Sequence, residues 1–548
     1  MIKDTKVVKQ CLMANLLLSF SVFPVASQAQ ENVETFSPVA EHNEGHHHDR
    51  RCGHGHPGKK LKKLVKALDL KPATGAEFNV PSVNDPMVQL GKELFYAKNL
   101  GGDQDVACVS CHHPSLGGAD ALSLSVGINP VNAQGESSHA LLGVGRFNGN
   151  GDLPNVPRNA PTAFNTVLNV EAMFWAGRIE FDADGELYTV DSERDADGNR
   201  LPDTNFPYGT SIASVQARFP PTAGNEMRGG FFPDADRQTV RDMYLPRFNN
   251  TDPSFVSSWP TAFALAYGDA EMTFNRIADA IGAYEDSMLF VNSPWKAYLE
   301  GDEYALTRKQ KAGAVLFFTS KEEGGAGCSG CHQGTTLSGP EYHLVAFSQF
   351  GPGKGNPSGT STSTDYGREI FSGEEADRFH FRPPSLLNVE VTAPYGHVGI
   401  YQKLEEVVGH YGNPRKSINK LFGAKRGVPF VKNAPFCRLP QVKALTAKNQ
   451  QSCESMYPNA YANSIEVVTH LEQANDSDSG VEATNPLHGI KKLSRREVKQ
   501  VTAFLTALTD PCVKSRECLA PWIIDGNDSA AFPDDKPLVG VDAMGHEL

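Results

Sequence analysis

Two cysteines with two residues between them, each pair followed directly by a histidine, occur twice in this chain: Cys108, Cys111 and His112 in CVSCH, and Cys328, Cys331 and His332 in CSGCH. A lone CxxC could be half of a zinc site or a redox pair. With the histidine added, and the whole motif repeated, the spacing fits covalent haem. Each thiol adds to a vinyl group of the porphyrin, and the histidine is held beneath the iron as its axial ligand. Two covalently attached c-type haems are therefore expected. What they do depends on the position opposite each histidine. Iron with two strong protein ligands suits electron transfer, whereas an open position can meet peroxide or oxygen. For His112 the neighbouring candidates are His113, poorly placed to cross the haem plane, and the more distant His139. For His332 they lie in YGHVGIYQKLEEVVGHYG, which supplies His397, Tyr401, His410 and Tyr411.

The elements expected to position these motifs repeat as well. DPMVQLGKELFYAKNL has helical apolar spacing and runs into the first motif. LTRKQKAGAVLFFTSKEEGGAG opens with a capping box at Thr307 and Gln310, carries an apolar face and reaches Cys328 through a Gly-rich turn. This shared plan predicts an internal duplication: an N-terminal haem domain over 81–300 and a C-terminal haem domain over 301–510. LSRREVKQVTAFLTALTD is a further helix, capped by Ser494 and Glu497. An acidic insertion at 179–210, with D-x-D-G pieces that lack full calcium-loop spacing, is expected as a surface loop. Residues 425–490 read as loop, and 511–548 as a C-terminal tail. The fold class is mostly α, as two c-type cytochrome-like haem domains with long loops and little sheet.

At 548 residues the chain exceeds one ordinary domain, and 40% apolar with 21% charged residues is a globular composition. A net charge of −13 argues against nucleic acid as partner. The first 29 residues carry lysines before a short apolar stretch and a Ser27-Gln28-Ala29 cleavage site, which predicts a signal peptide, periplasmic export and no stable membrane insertion. Residues 30–80 comprise a polar stretch with six histidines and Cys52, open to metal or to none, and then a short basic helix in GKKLKKLVKALDL. In an oxidising compartment, Cys437–Cys453 and Cys512–Cys518 are the local disulfides expected.

Several stretches in order, LGKELFYAKNL, CVSCHHPSLGGAD, RNAPTAFN, MFWAGR, QARFPPTAGNEM, CSGCH and FRPPSLLNVEVTAPYGHVGIYQKLEEVVGHYG, resemble the bacterial dihaem cytochrome c peroxidase family, which includes MauG-type enzymes. The resemblance implies that the haem on His112 is peroxidatic and that on His332 transfers electrons. It implies Glu226 as general acid/base, Gln216 as its orienting partner, Pro220 in the pocket wall, and Trp175 between the haems. It implies a calcium ion on Asn159, Thr392 and Pro394. The family's peroxidases place a methionine fourteen residues beyond the histidine of T-A-P-Y-x-H. Here that histidine is His397 and the position holds Tyr411, the MauG-type arrangement, with His410 as the competitor. An anionic oxygen donor favours ferric and higher-valent iron, a thioether ferrous. The family's resting-state distal histidine has no counterpart here unless His139 serves.

Three functions follow as expectations. The first is a peroxidase reducing hydrogen peroxide with electrons from a small cytochrome c or cupredoxin. The second is a MauG-like enzyme oxidising a protein substrate, and the third a non-enzymatic carrier with both haems closed. A homodimer is left open.

Overall fold

The computed structural model describes residues 57–548 except 170, 197, 207–210, 356–363, 426–427, 429, 475–486 and 488–489. The expected signal peptide and cleavage site, Cys11, Cys52 and the histidines of the N-terminal segment lie outside the described residues. The described residues form one compact unit, mostly helical with two small antiparallel sheets. Among the described residues no helix is long and apolar enough to cross a membrane.

The repeated plan becomes a repeated helix pair. Helix Pro86–Tyr96 packs on helix Phe274–Ser287, and helix Arg308–Phe318 packs on helix Arg495–Thr506. Both crossings are tight at a glycine. A Cβ on Gly91 would sit 1.8 Å from the Ala280 carbonyl oxygen, and one on Gly313 would sit 1.9 Å from that of Gln500. Only glycine permits that approach. Three residues beyond each glycine come Leu94-Phe95-Tyr96 and Leu316-Phe317-Phe318, aromatic ends that pack over the haem motifs. The capping boxes at Thr307/Gln310 and Ser494/Glu497 form as the sequence predicts. The basic helix Pro57–Ala67 buries Leu61 and packs against Arg308–Phe318.

Three stretches differ from expectation. Residues 425–490 hold helices Pro440–Asn449, Cys453–Met456 and Ala460–Ala474, not only loop. Their apolar residues Val442, Leu445, Val467, Val468 and Leu471 close the core of the second half, and Cys437–Cys453 pins the start of the second of them to the turn before the first. The acidic insertion is not a free loop. Strand Ile179–Phe181 pairs with Ala172–Met173 on one side and with Leu187–Tyr188 on the other, and Glu180 accepts hydrogen bonds from Arg200, Arg368 and the Tyr342 hydroxyl. The polar sequence hid this because two of the three clamping partners lie over 160 residues away. Residues 511–548 are packed rather than trailing: Leu519, Ile523, Phe532 and Leu538 join the core around Leu94 and Phe95. Each such side chain contributes about 1.5–3 kcal/mol when buried. Cys512–Cys518 also forms.

The halves meet at a buried ion pair. Arg158 donates to Asp365 twice, from Nε at 2.6 Å and Nη2 at 2.7 Å. Burial alone would lift the Asp365 carboxyl, but the Arg158 guanidinium and the Gly367 N–H outweigh it and hold it below the ordinary aspartate value. Its ionised form thus stabilises the fold above the unfolded aspartate pKa of about 3.9. That stabilisation is lost as pH falls through the lower folded value. Asp365→Asn strands a buried guanidinium and should cost about 3–5 kcal/mol in denaturant unfolding at pH 7. The variant should also lose part of the native protein's decline in stability below about pH 4.

Candidate functional site

Each CxxCH motif forms a single tight turn. The His112 amide donates to the Cys108 carbonyl and the His332 amide to that of Cys328, both at 3.1 Å. The turns bring both thiols and the imidazole to one cavity wall. The imidazoles are oriented by carbonyls: His112 Nδ1 lies 3.3 Å from Gly118 O, and His332 Nδ1 lies 2.8 Å from Leu337 O. A carbonyl only accepts, so Nδ1 carries the hydrogen and Nε2 keeps its lone pair for a metal. Burial lowers the pKa of both imidazoles, that of His332 to about 4, which keeps that lone pair free. Burial raises the pKa of all four thiols.

The first cavity, about 1300 Å³ with its open mouth, is lined by Cys108, Cys111 and His112, and by Gln216, Pro220 and Glu226. The second, about 1810 Å³, is lined by Cys328, Cys331, His332 and Tyr411. Paired thiols, a histidine with a free Nε2 and apolar walls suit a macrocycle in each. Trp175 lines both cavities, and its indole Nε1–H donates to the Asn159 carbonyl at 2.8 Å.

The cavities differ in the residues that line them beside the histidine. In the first, Gln216 comes from helix Ile212–Ala217, capped by Ser211. Glu226 comes from Gly224–Arg228, a widened turn in which the Arg228 amide reaches back to the Ala223 carbonyl at 3.0 Å. Such five-residue turns recur at functional sites because they push one side chain out of register. Among the described residues no second histidine and no tyrosine lines this cavity; Met173 and Met227 there belong to apolar clusters. His113 is buried instead as a structural residue whose Nδ1 accepts from the Ser115 amide. His139 is not among the cavity residues: its ring contacts Ser137, and Arg146 holds its carbonyl. The role left open for His139 therefore has no support.

In the second cavity Tyr411 faces the haem motif and His410 does not. His410 Nε2 donates to Val345 O at 2.8 Å, and its Nδ1 accepts from the Tyr401 hydroxyl at 2.8 Å, so both ring nitrogens are committed. Burial raises the Tyr411 phenol well above its ordinary value, and Cys331 and Cys328 add to that, so a phenolate there needs a cation beside it. His397 lines the same cavity, stacked on Phe381 at 3.9 Å.

Asn159, Thr392 and Pro394 also line the second cavity. Asn159 Nδ2 donates to Leu122 O at 2.8 Å, which leaves Oδ1 as an acceptor. Sequence reasoning missed Arg178, Lys354 and Glu285 in the first cavity, His343 in the second and Arg382 in both. None sits in a spacing pattern, and only the fold gathers them.

Residues 85–304 match a family model described as di-haem cytochrome c peroxidase. The cytochrome c551 peroxidase of Pseudomonas aeruginosa is 29% identical over 342 residues, covering 62% of this chain and 76% of that protein. That of Nitrosomonas europaea is 27% identical over 339 residues, with the same two coverages. The methylamine utilization protein MauG of Methylorubrum extorquens is 26% identical over 361 residues, covering 65% of this chain and 77% of that one.

Proposed function

Because the chain belongs to the di-haem cytochrome c peroxidase family, and is thus an oxidoreductase acting on peroxide, we propose that it is exported and reduces hydrogen peroxide in the cavity of His112. Electrons enter through the cavity of His332. The observation that carries this reading is the asymmetry of the two cavities: one brings Glu226 and Gln216 into the cavity of its histidine, the other brings Tyr411. Two disulfides support export to an oxidising compartment.

Covalent c-type haem, held by Cys108, Cys111 and His112 and by Cys328, Cys331 and His332, would supply redox-active iron in each cavity. Around it the chain's own groups act on protons and position. Glu226 accepts a proton from bound peroxide and returns it, and Gln216 orients the carboxylate and the substrate. Pro220 narrows the pocket. Trp175, an indole shared by the walls of both cavities, relays electrons between them. Tyr411 would serve the second cavity as an oxygen ligand, a donor that favours oxidised iron. Asn159, through Oδ1, and Thr392 and Pro394, through their carbonyls, would hold a calcium ion, since neutral oxygens from both halves suit a hard cation. Removing it with EGTA should disturb the His332 haem spectrum. The electron donor is a small cytochrome c or cupredoxin.

A second reading, MauG-like oxidation of a partner protein, is favoured by Tyr411 alone. The test is spectroscopic. The ferric protein should show one high-spin and one low-spin haem, and peroxide should change the high-spin signal with no reductant added. Two low-spin haems inert to peroxide would overturn both readings and leave an electron carrier. A need for prior half-reduction would count against the MauG-like one.

A further inference from the structure

Positive charge outweighs negative charge around Glu226, and the excess comes from both halves of the chain. Arg178 Nη1 lies 3.5 Å from Glu226 Oε1, and its guanidinium lies over the Phe174 ring at 4.5 Å. Its Nε is buried without a partner. Lys354 reaches the same cavity from the second half and has no hydrogen-bond or ion-pair partner among the described residues. Burial, with Arg178 and Arg158 nearby, pushes the Lys354 ammonium down to about 7. An anion in the cavity would favour its charged form. Arg158 does not add to the excess, because Asp365 neutralises it. Glu285 does not offset it, because burial, with Asp286 beside it, lifts that carboxyl to about 8 and keeps it protonated.

We propose that Arg178 and Lys354 form a cationic pair that binds the hydroperoxide anion in the first cavity. The proposal rests on Glu226 as the acid/base. One O–H bond of hydrogen peroxide breaks, its proton goes to a Glu226 oxygen, and the bonding pair stays on HO₂⁻. The net charge of the pocket does not change. The negative charge moves from carboxylate to peroxide, and the two cations face it in either place. In a site of low dielectric, fixed cations already aimed at the developing anion reorganise little as it forms. Deprotonating peroxide at neutral pH becomes feasible for that reason.

Fluoride and cyanide separate the two claims. Fluoride arrives as an anion and probes the cations alone, whereas cyanide arrives as HCN and must first lose a proton. In the ferric holoenzyme, followed by absorption, Lys354→Met and Arg178→Gln should each weaken fluoride binding at least about tenfold, the scale of a hydrogen bond to a charged group. Glu226→Gln should leave fluoride affinity unchanged or tighter, yet slow cyanide binding by about 10²-fold. Normal cyanide kinetics in that variant would reject the acid/base reading while the fluoride result still judges the pair. Arg178 is buried, so if its variant fails to load haem, Lys354→Met decides alone. Wild-type fluoride affinity in Lys354→Met overturns the proposal. So does a change confined to haem loading or spectrum, which would assign the cations to the porphyrin carboxylates.

Discussion

Glu226→Gln is expected to lower kcat/KM for hydrogen peroxide by about 10²–10⁴-fold, the usual contribution of a placed general acid/base. At about 1.4 kcal/mol per factor of ten, that is about 3–5 kcal/mol of the barrier. Glutamine keeps the shape and can still accept a hydrogen bond, but it cannot take a proton. Both haem spectra should stay close to wild type, since Glu226 is neither a thioether attachment point nor an axial ligand. Arg178 loses its 3.5 Å partner, so a stability cost should appear beside the kinetic one. Comparing unfolding with kinetics separates the two: a folded, haem-loaded variant with a slow peroxide reaction supports the assignment. A rate within about threefold of wild type, far less than a placed proton carrier contributes, would remove Glu226 from the mechanism. Gln216→Ala should have a smaller effect, because an orienting amide holds a proton carrier in place without carrying the proton.

What the sequence disclosed was local. Both CxxCH turns, the Thr307/Gln310 and Ser494/Glu497 capping boxes and the two disulfides each span fewer than twenty residues. Within that range, spacing dictates geometry. The glycines at 91 and 313 were visible, each a few residues ahead of a Leu-Phe pair. Their purpose was not, because it lies in the carbonyls of Ala280 and Gln500 on distant helices. Lys354 in GPGKG reads as an ordinary loop cation. Its reach into the first cavity depends on how the second half folds back beside Arg158 and Asp365. The helices of 425–490 were hidden by their polar positions. Residues such as Gln441, which pairs with the Leu124 backbone from both ends of its amide, are buried through tertiary hydrogen bonds that no periodicity reports.

Tyr411→Phe carries the other large effect, on the second haem alone. If the phenolate is a ligand, its loss should abolish or shift the low-spin ferric signal. It should also raise that haem's reduction potential by on the order of 100 mV, since axial ligands tune haem potentials over about 0.8 V. The rise follows from the charge: an anionic oxygen stabilises the oxidised iron, so removing it favours the reduced form. His410→Gln should leave the low-spin signal in place. It should cost about 1–3 kcal/mol in stability, because the Val345 carbonyl and the Tyr401 hydroxyl lose a buried partner. His343, which lines the same cavity and escaped the sequence reading, is the sharper control. If His343→Gln removes the low-spin signal while Tyr411→Phe keeps it, the ligand is histidine. The electronic argument for a MauG-like reading then falls with it. If only Tyr411→Phe acts, the high-spin haem should keep its reaction with peroxide while electron delivery from the second haem slows. Turnover would then become limited by reduction, which stopped-flow measurements of each haem's signal can follow separately.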